Sequence, residues 1–356
     1  MNYIDGMSFA HLDRVYGRLT DKESKEIFDK RLRFMVNRDW HQFLDLRKSG
    51  WKCSRNFEEW CRKHKRPLVI FGAGADGIYT AQLLEACGKP ACAFCDTNRL
   101  SSGGELPVWS FEELHNRDGQ YGVIISSSRY AHEIYEQCLR VGMDRDLIYY
   151  PGCRFLPGHL PHQYFDFFEP AKDEIFVDVG AYDGQTSLEF AEWADGKFEK
   201  IYLIEADSNN AALIHDHLSE NHVTAFQVFN TGVWNEKATL FFSSKGTTES
   251  AVTENESEAN ESIEVTTIDC LLEQNRVSYI KMDIEGCEKE ALEGASNTIR
   301  KYKPRLAISI YHKPADFIEI PLLILSICDN YKFSIRHYSS FDSETVLYAW
   351  CEGQGI

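Results

Sequence analysis

The pattern that most limits what this chain can fold into is an apolar run followed by a glycine turn and a helix, and it occurs twice. The first copy is PLVIFGAGADG from Pro67, the second EIFVDVGAYDG from Glu174. A strand that reads as an unbroken apolar run is buried on both faces, which points to a parallel sheet covered by crossover helices. The alternation continues after each copy. IYTAQLLEACG, PACAFCDTN, YGVIISSS and AHEIYEQCLRVG follow the first; GQTSLEFAEWA, KIYLIEAD, SNNAALIHDHLSE and VTAFQVFN follow the second. The fold class expected is therefore α/β with two doubly wound, Rossmann-like units, and 356 residues is a length for two cores rather than one.

The rest of the chain is organised around these two units. Residues 1–65 read as a helical segment, 66–150 as a small Rossmann-like domain, 151–172 as a linker and 173–356 as the second α/β domain. In the helical segment Thr20 and Glu23 have capping-box spacing, with Ile27, Leu32, Phe34 and Met35 as the apolar stripe behind them. Gly50 with Trp51 ends one helix there, and Asn56 begins another. Four prolines and several aromatics in PGCRFLPGHLPHQYFDFFEP mark an ordered linker whose rings can pack on either neighbour. Thr247 to Glu264, with six glutamates among Ser, Thr and Asn, reads as a solvated loop. The closing runs FSIRHYSS and ETVLYAW read as a hairpin.

Charge excludes one class of partner. The formal net charge of −17 divides into +5 for residues 1–65, −4 for 66–150 and −18 for 151–356. A nucleic-acid binder needs a basic footprint to displace counterions, and most of this chain would repel a polyanion. The basic first segment reads as a solvated helical surface. The longest apolar run, Ile320 to Cys328, is broken by Pro321 and falls far short of the roughly 20 residues of a membrane span. The first residues lack a basic stretch followed by an apolar one, so a cytoplasmic location is expected. Eleven scattered cysteines are read as reduced thiols, and Cys92 and Cys95 as strand residues rather than a metal or redox pair.

The second copy of the pattern carries the candidate chemistry. Asp178 and Gly180 stand where its first strand ends, with Asp183 and Gly184 at the helix entry. Glycine lets a ligand approach the backbone, and the two carboxylates would repel a pyrophosphate while tolerating a cation such as the sulfonium and ammonium of S-adenosylmethionine. Glu205 ends the next strand, where an acid in doubly wound folds holds ribose hydroxyls. The competing reading is that Asp178 and Asp183 only cap the turn and the helix. In KMDIEG, Lys281, Asp283 and Glu285 are spaced by two, which on a strand puts them on one side, and Gly286 opens a turn. An ion pair between Lys281 and one acid is the alternative there.

With these motifs in place, the second half resembles the FkbM family of S-adenosylmethionine-dependent methyltransferases. The matching runs are FVDVGAYDGQTS, YLIEAD, VTTIDCLL, YIKMDIEGCEKEALEGA and RLAISIYHK, over roughly residues 164–350. The resemblance implies a seven-stranded sheet whose last two strands form an antiparallel addition, and methyl transfer to a hydroxyl oxygen of a saccharide or glycoconjugate. It implies further that Asp178, Gly180, Asp183 and Gly184 line the methionine portion, that Glu205 binds ribose, and that the stretch from Asn230 through Gly232 and Val233 lies at the adenine. Many relatives have Glu-Pro where this chain has Glu205-Ala206-Asp207. A hydroxyl acceptor benefits from a base within reach, for which His312, Asp283 and Glu285 are the candidates. The spacing establishes no metal cluster.

In the first unit Gly72, Gly74 and Gly77 form GxGxxG between a strand and a helix, and Asp96 ends the next strand. The unit resembles small nucleotide-sugar-binding or CoA-binding modules. Either it binds a nucleotide or nucleotide sugar, or its glycines serve strand-to-helix packing. Two rival functions follow: an NAD- or nucleotide-sugar-dependent enzyme working at Gly72 to Asp96, and a nucleotide-binding scaffold without catalysis.

Overall fold

The computed structural model describes residues 8–37, 60, 63–86, 88–97, 106–117, 119–127, 130–149, 163–243, 251–253, 261–273, 275–338 and 343–353. The helix boundaries expected at Gly50, Trp51 and Asn56, and the first part of the linker, lie outside the described residues. The chain divides into two compact units, one of Met1–Phe28, His162–His337 and Ser343–Ile356, the other of Asp29–Pro161 and Tyr338–Asp342. No helix among the described residues is long and apolar enough to cross a membrane.

Two helices, α1 (Phe9–Tyr16) and α2 (Lys22–Asn37), open the described chain. The unit of Asp29–Pro161 then contains β1 (Leu68–Phe71), α3 (Ala75–Ala86), β2 (Ala91–Cys95), β3 (Val108–Trp109), α4 (Phe111–His115), β4 (Gly122–Ile125), α5 (Ala131–Arg140) and β5 (Ile148–Tyr149). Its five strands are all parallel, in the order β3-β2-β1-β4-β5. Successive side chains of β1 alternate between two cores. Val69 and Phe71 join Ile125 and Cys138 on one face, while Leu68 and Ile70 join Leu84 and Phe94 on the other. This is the physical reason the strand had to be apolar at every position. Cys92 and Cys95 lie in β2 as free thiols, and burial pushes the Cys95 thiol far up.

The other unit is built on a seven-stranded sheet. Its elements after the linker are β6 (Glu174–Val179), α6 (Gln185–Trp193), β7 (Phe198–Glu205), α7 (Ser208–Glu220), β8 (Phe226–Asn230), β9 (Gly232–Val233), β10 (Ala238–Ser243), β11 (Ala251–Thr253), β12 (Glu261–Thr266) and α8 (Ile268–Leu272). They continue as β13 (Tyr279–Met282), α9 (Glu288–Glu293), α10 (Ser296–Tyr302), β14 (Arg305–Ser309), α11 (Asp316–Ile327), β15 (Tyr331–His337) and β16 (Thr345–Cys351). The sheet order is β15-β16-β14-β13-β6-β7-β8, with β16 antiparallel to both β14 and β15 and the other pairs parallel. The mixed sheet with its antiparallel closing pair is thus as expected. The chain leaves β6 towards β7 on one side and later returns on the other side at β13. Such a switch point opens a crevice at the carboxyl ends of the two strands, where open α/β sheets bind ligands.

Three local expectations need correction. The side chain capping α2 is Asp21, whose Oδ1 accepts from the Ser24 amide at 2.8 Å. Thr20 instead meets the Phe333 carbonyl and the Ser334 hydroxyl, so tertiary partners outweighed the capping-box spacing. The glutamate-rich stretch read as a loop contains β11 and the start of β12, which with β10 and β9 form a separate four-stranded sheet in the order β11-β10-β12-β9. Glu261 and Glu264 lie in β12, and composition alone does not separate such a strand from a loop. Finally, among the described linker aromatics Tyr164, Phe165 and Phe168 are buried, and Phe165 packs on Phe176, Phe190, Trp193 and Tyr279 of the second α/β unit.

Candidate active site

The crevice floor is the turn after β6. Gly180 has φ +76°, and a Cβ there would stand 2.0 Å from the Asp283 carbonyl oxygen. Only glycine lets the ends of β6 and β13 approach this closely. Gly184, with φ +84°, is the residue before α6, and its missing Cβ makes room for Leu218 of α7. Asp183, half-buried, accepts the Gln185 amide on Oδ1 at 3.0 Å, and its carbonyl lies 2.9 Å from His217 Nδ1. These are the capping contacts that the sequence offered as the competing reading.

Asp178 was expected to line the cofactor, and the structure places it one layer lower. It is 0% exposed. The Ser187 hydroxyl donates to its Oδ2 at 2.8 Å, and Lys281 Nζ stands 3.0 Å from its Oδ1. Lys281 also donates to the Gly180 carbonyl at 2.7 Å. The ion pair foreseen for Lys281 therefore forms with an acid of the neighbouring strand. Its effect is to tie the glycine turn to the sheet.

Glu205 closes β7 beside this turn. Its Oε2 accepts the Tyr182 amide at 2.8 Å and its Oε1 the Asp207 amide at 2.8 Å. Each oxygen of a carboxylate has a second lone pair, so two acceptor positions remain for vicinal hydroxyls. The backbone after Glu205, where proline is absent, is held another way. Asn230 donates to the carbonyls of Glu205 (3.0 Å) and Ala206 (3.2 Å), and the Asp207 side chain caps α7 at the amides of Asn209 and Asn210. Gly232 and Val233 form β9, paired with Val265 and Thr266, and the Val233 side chain is buried.

The second group of candidates converges after β13 and β14. The strand β13 stops at Met282, so Lys281, Asp283 and Glu285 do not share one strand face as expected. Glu285 has φ +54° and Gly286 φ +94°, so the chain turns sharply between β13 and α9. His312 follows β14, its side chain only 9% exposed, with Nε2 3.5 Å from Asp283 Oδ1 and 3.5 Å from Glu285 Oε2. Its Nδ1 stands 2.9 Å from Glu288 Oε1, and the Glu288 side chain is 0% exposed. Burial works against the imidazolium, yet the Glu288 carboxylate and the charges of Asp283 and Glu285 outweigh it and raise the pKa to about 9. At neutral pH such a histidine is a cation, so the base role expected of it does not suit this arrangement.

Three contributors went unseen in the sequence. Tyr164 donates to Asp283 Oδ2 at 2.9 Å and Tyr311 to Asp283 Oδ1 at 3.3 Å. Glu288 supports both His312 and the Ile284 amide, which donates to it at 2.8 Å. The only signal for Tyr164 was the aromatic density of its linker, and Glu288 looked like any helical glutamate. A surface cleft of about 640 Å³ between α6 and α7, lined by Glu189, His217 and His222 among others, involves none of Glu205, Asp283 and His312.

In the other unit the three glycines of GxGxxG have separate roles. A Cβ on Gly72 would stand 2.1 Å from the Ser126 carbonyl oxygen and one on Gly77 1.9 Å from that of Gly72, so both serve backbone packing. Gly74 has nothing within 4 Å of its Cβ position. Asp96 accepts the Ala73 amide at 3.0 Å, so its carboxylate fastens the loop between strand and helix.

Residues 178–336 match the family profile described as the methyltransferase FkbM domain. No curated protein matches the chain. Among solved structures, the methyltransferase FkbM from Methylobacillus flagellatus KT is 20% identical with a TM-score of 0.50, over 88% of this chain and 100% of that one. An rRNA methylase from Streptococcus thermophilus is 14% identical with a TM-score of 0.36, over 55% of this chain and 96% of that one. A methyltransferase from Streptococcus mutans in complex with SAH is 9% identical with a TM-score of 0.34, over 53% of this chain and 94% of that one.

Proposed function

We propose that the chain is an S-adenosylmethionine-dependent methyltransferase that acts on a hydroxyl oxygen of a saccharide or glycoconjugate, in the cytoplasm. The observation that carries the cofactor reading is Glu205, a carboxylate at the end of β7 with each oxygen already aligned by one backbone amide, beside the Gly180 turn at the switch point. Ribose hydroxyls are donors and fit its remaining lone pairs; a pyrophosphate would be repelled by the same group. The turn of Gly180 to Gly184 would hold the methionine portion and the backbone from Asn230 to Val233 would meet the adenine. Bound there, S-adenosylmethionine supplies an electrophilic methyl on a sulfonium, so the protein's task is mainly to position an oxygen in line with it.

The protein's own groups divide that task. Lys281, held by Asp178, fixes the glycine turn, and Tyr164 and Tyr311 fix Asp283. Asp283 and the exposed Glu285 accept the hydrogen bond of an acceptor hydroxyl, and His312 balances their charge. The acceptor is a saccharide rather than a nucleic acid because the acidic crevice edge suits neutral hydroxyl donors.

Calorimetric titration with S-adenosylhomocysteine tests the reading. Loss of two charge-assisted hydrogen bonds in Glu205→Ala is expected to weaken binding by at least about 100-fold, at roughly 1.5 kcal/mol or more per bond. Gly74→Val, in the other unit, is expected to bind normally. Absence of binding by the unaltered protein, with NAD or a UDP-sugar bound instead and lost in Gly74→Val, would move the chemistry to Gly72–Asp96. Transfer of labelled methyl from S-adenosylmethionine to a panel of saccharides then tests the acceptor class.

A further inference from the structure

We propose that His312, Asp283 and Glu285 form a divalent metal site, with Glu288 behind the imidazole. One ligand atom each from Asp283, Glu288 and His312 lies within 4.8 Å of the others. The 3.5 Å separations from His312 Nε2 to Asp283 Oδ1 and to Glu285 Oε2 are close to what two ligands of one ion adopt. Atoms each about 2.1 Å from an ion stand roughly 3.0–3.4 Å apart at the usual coordination angles. Surplus negative charge is present in any case, because three carboxylates surround a single imidazole.

Unsatisfied buried atoms give a second and independent sign. His312 is nine-tenths buried, and neither its Nε2 nor Oε2 of the fully buried Glu288 has a hydrogen-bond partner. A buried polar atom without a partner is costly, and proteins tolerate it where a ligand completes the site. The groups behind the ligands have the form that metal sites use. A carboxylate against Nδ1 keeps a proton on that nitrogen, so that an ion can displace the other proton of the imidazolium and take Nε2, which is the arrangement of Glu288 and His312. Asp283 is oriented by the hydroxyls of Tyr164 and Tyr311. Glu285 stands in a left-handed conformation uncommon for a non-glycine residue, and its side chain is 87% exposed, which leaves an open coordination face.

One nitrogen with two carboxylate oxygens suits Mn(II) or Zn(II) better than the all-oxygen shells of Ca(II) and Mg(II). The Asp283 backbone packs against the Gly180 turn, so an ion held here would offer the acceptor oxygen a Lewis-acid partner near the methyl donor. That use rests on the methyl-transfer reading; the site itself does not, and its test measures metal alone.

The experiment is titration of chelator-stripped, full-length protein with MnCl2, read as loss of the free Mn(II) signal in electron paramagnetic resonance and repeated with Zn(II) as competitor. One tight site per chain is expected, weakened at least 10-fold in Asp283→Asn and in Glu285→Gln, and about 10–100-fold in Glu288→Gln. Glu285 is exposed, so its variant keeps the fold even where changes at the buried His312 do not. Glu352→Gln, at an exposed acid elsewhere, should bind as the unaltered chain does and so exposes general attraction to an acidic protein. Failure to bind either metal at millimolar concentration, or equal binding in Asp283→Asn and Glu285→Gln, overturns the proposal.

Discussion

Gly180 shows how much one residue can carry. It combines a positive φ with a carbonyl contact that no side chain could accommodate, and the carbonyl belongs to Asp283, so backbone strain here would reach the acceptor side. Gly180→Ala is expected to destabilise the protein by about 1–3 kcal/mol and to weaken S-adenosylhomocysteine binding, seen in urea melts and calorimetry. Lys281 is a second such residue. Removing it in Lys281→Met leaves Asp178 charged and buried, which is expected to cost about 3–5 kcal/mol in the same melts. Pairing it with Asp178→Asn should recover part of the loss, because the stranded charge is then gone. Spacing made Asp178 and Lys281 visible in the sequence but not their pairing, since the two lie on neighbouring strands 103 positions apart.

Among elements, β14 and β6 are joined by a buried ion pair between Arg305 and Glu174, enclosed by Phe168, Trp193 and Tyr279. Burial lowers the Arg305 pKa to about 10, still cationic at neutral pH. Glu174→Gln alone is expected to cost several kcal/mol, whereas replacing both residues with apolar ones of similar volume should cost much less, and a double-mutant cycle in urea reads the difference. The N-terminal helices have a titratable link of their own. Burial opposes the Asp21 carboxylate, but hydrogen bonds from Ser334 and Ser24 and the Arg336 charge hold its pKa below the ordinary value. A lowered carboxylate pKa contributes stability above the unfolded value of about 3.9 and loses it as pH falls through the folded value. The gap in melting temperature between the unaltered protein and Asp21→Asn should therefore be full at pH 6 and shrink below pH 4.

For the whole molecule, two compact units with separate cores imply that unfolding need not be a single transition. Scanning calorimetry is expected to show two, of which S-adenosylhomocysteine raises only the one belonging to the unit that holds residues 178–336. If one cooperative transition appears and the ligand moves all of it, the units are thermodynamically coupled. The excess of acid in residues 151–356 is a property of this scale too, and the same part of the chain holds a site proposed to receive cations and hydroxyl donors.

Periodicity determined what the sequence alone could say. Unbroken apolar runs followed by glycine turns require buried parallel strands and crossover helices, because local sterics and burial act on neighbouring residues. The parallel strands and the places of Gly180 and Glu205 at strand ends were legible for that reason, whereas the seven-stranded sheet was implied by the FkbM resemblance. Only tertiary structure decided which groups meet. Asp178 turned from the crevice to Lys281, Tyr164 came from the linker to Asp283, Glu288 left its helix surface for His312, and Thr20 gave its capping role to Asp21. Each of these choices is made between residues distant along the chain or by competition for one partner, and neither leaves a mark on local spacing.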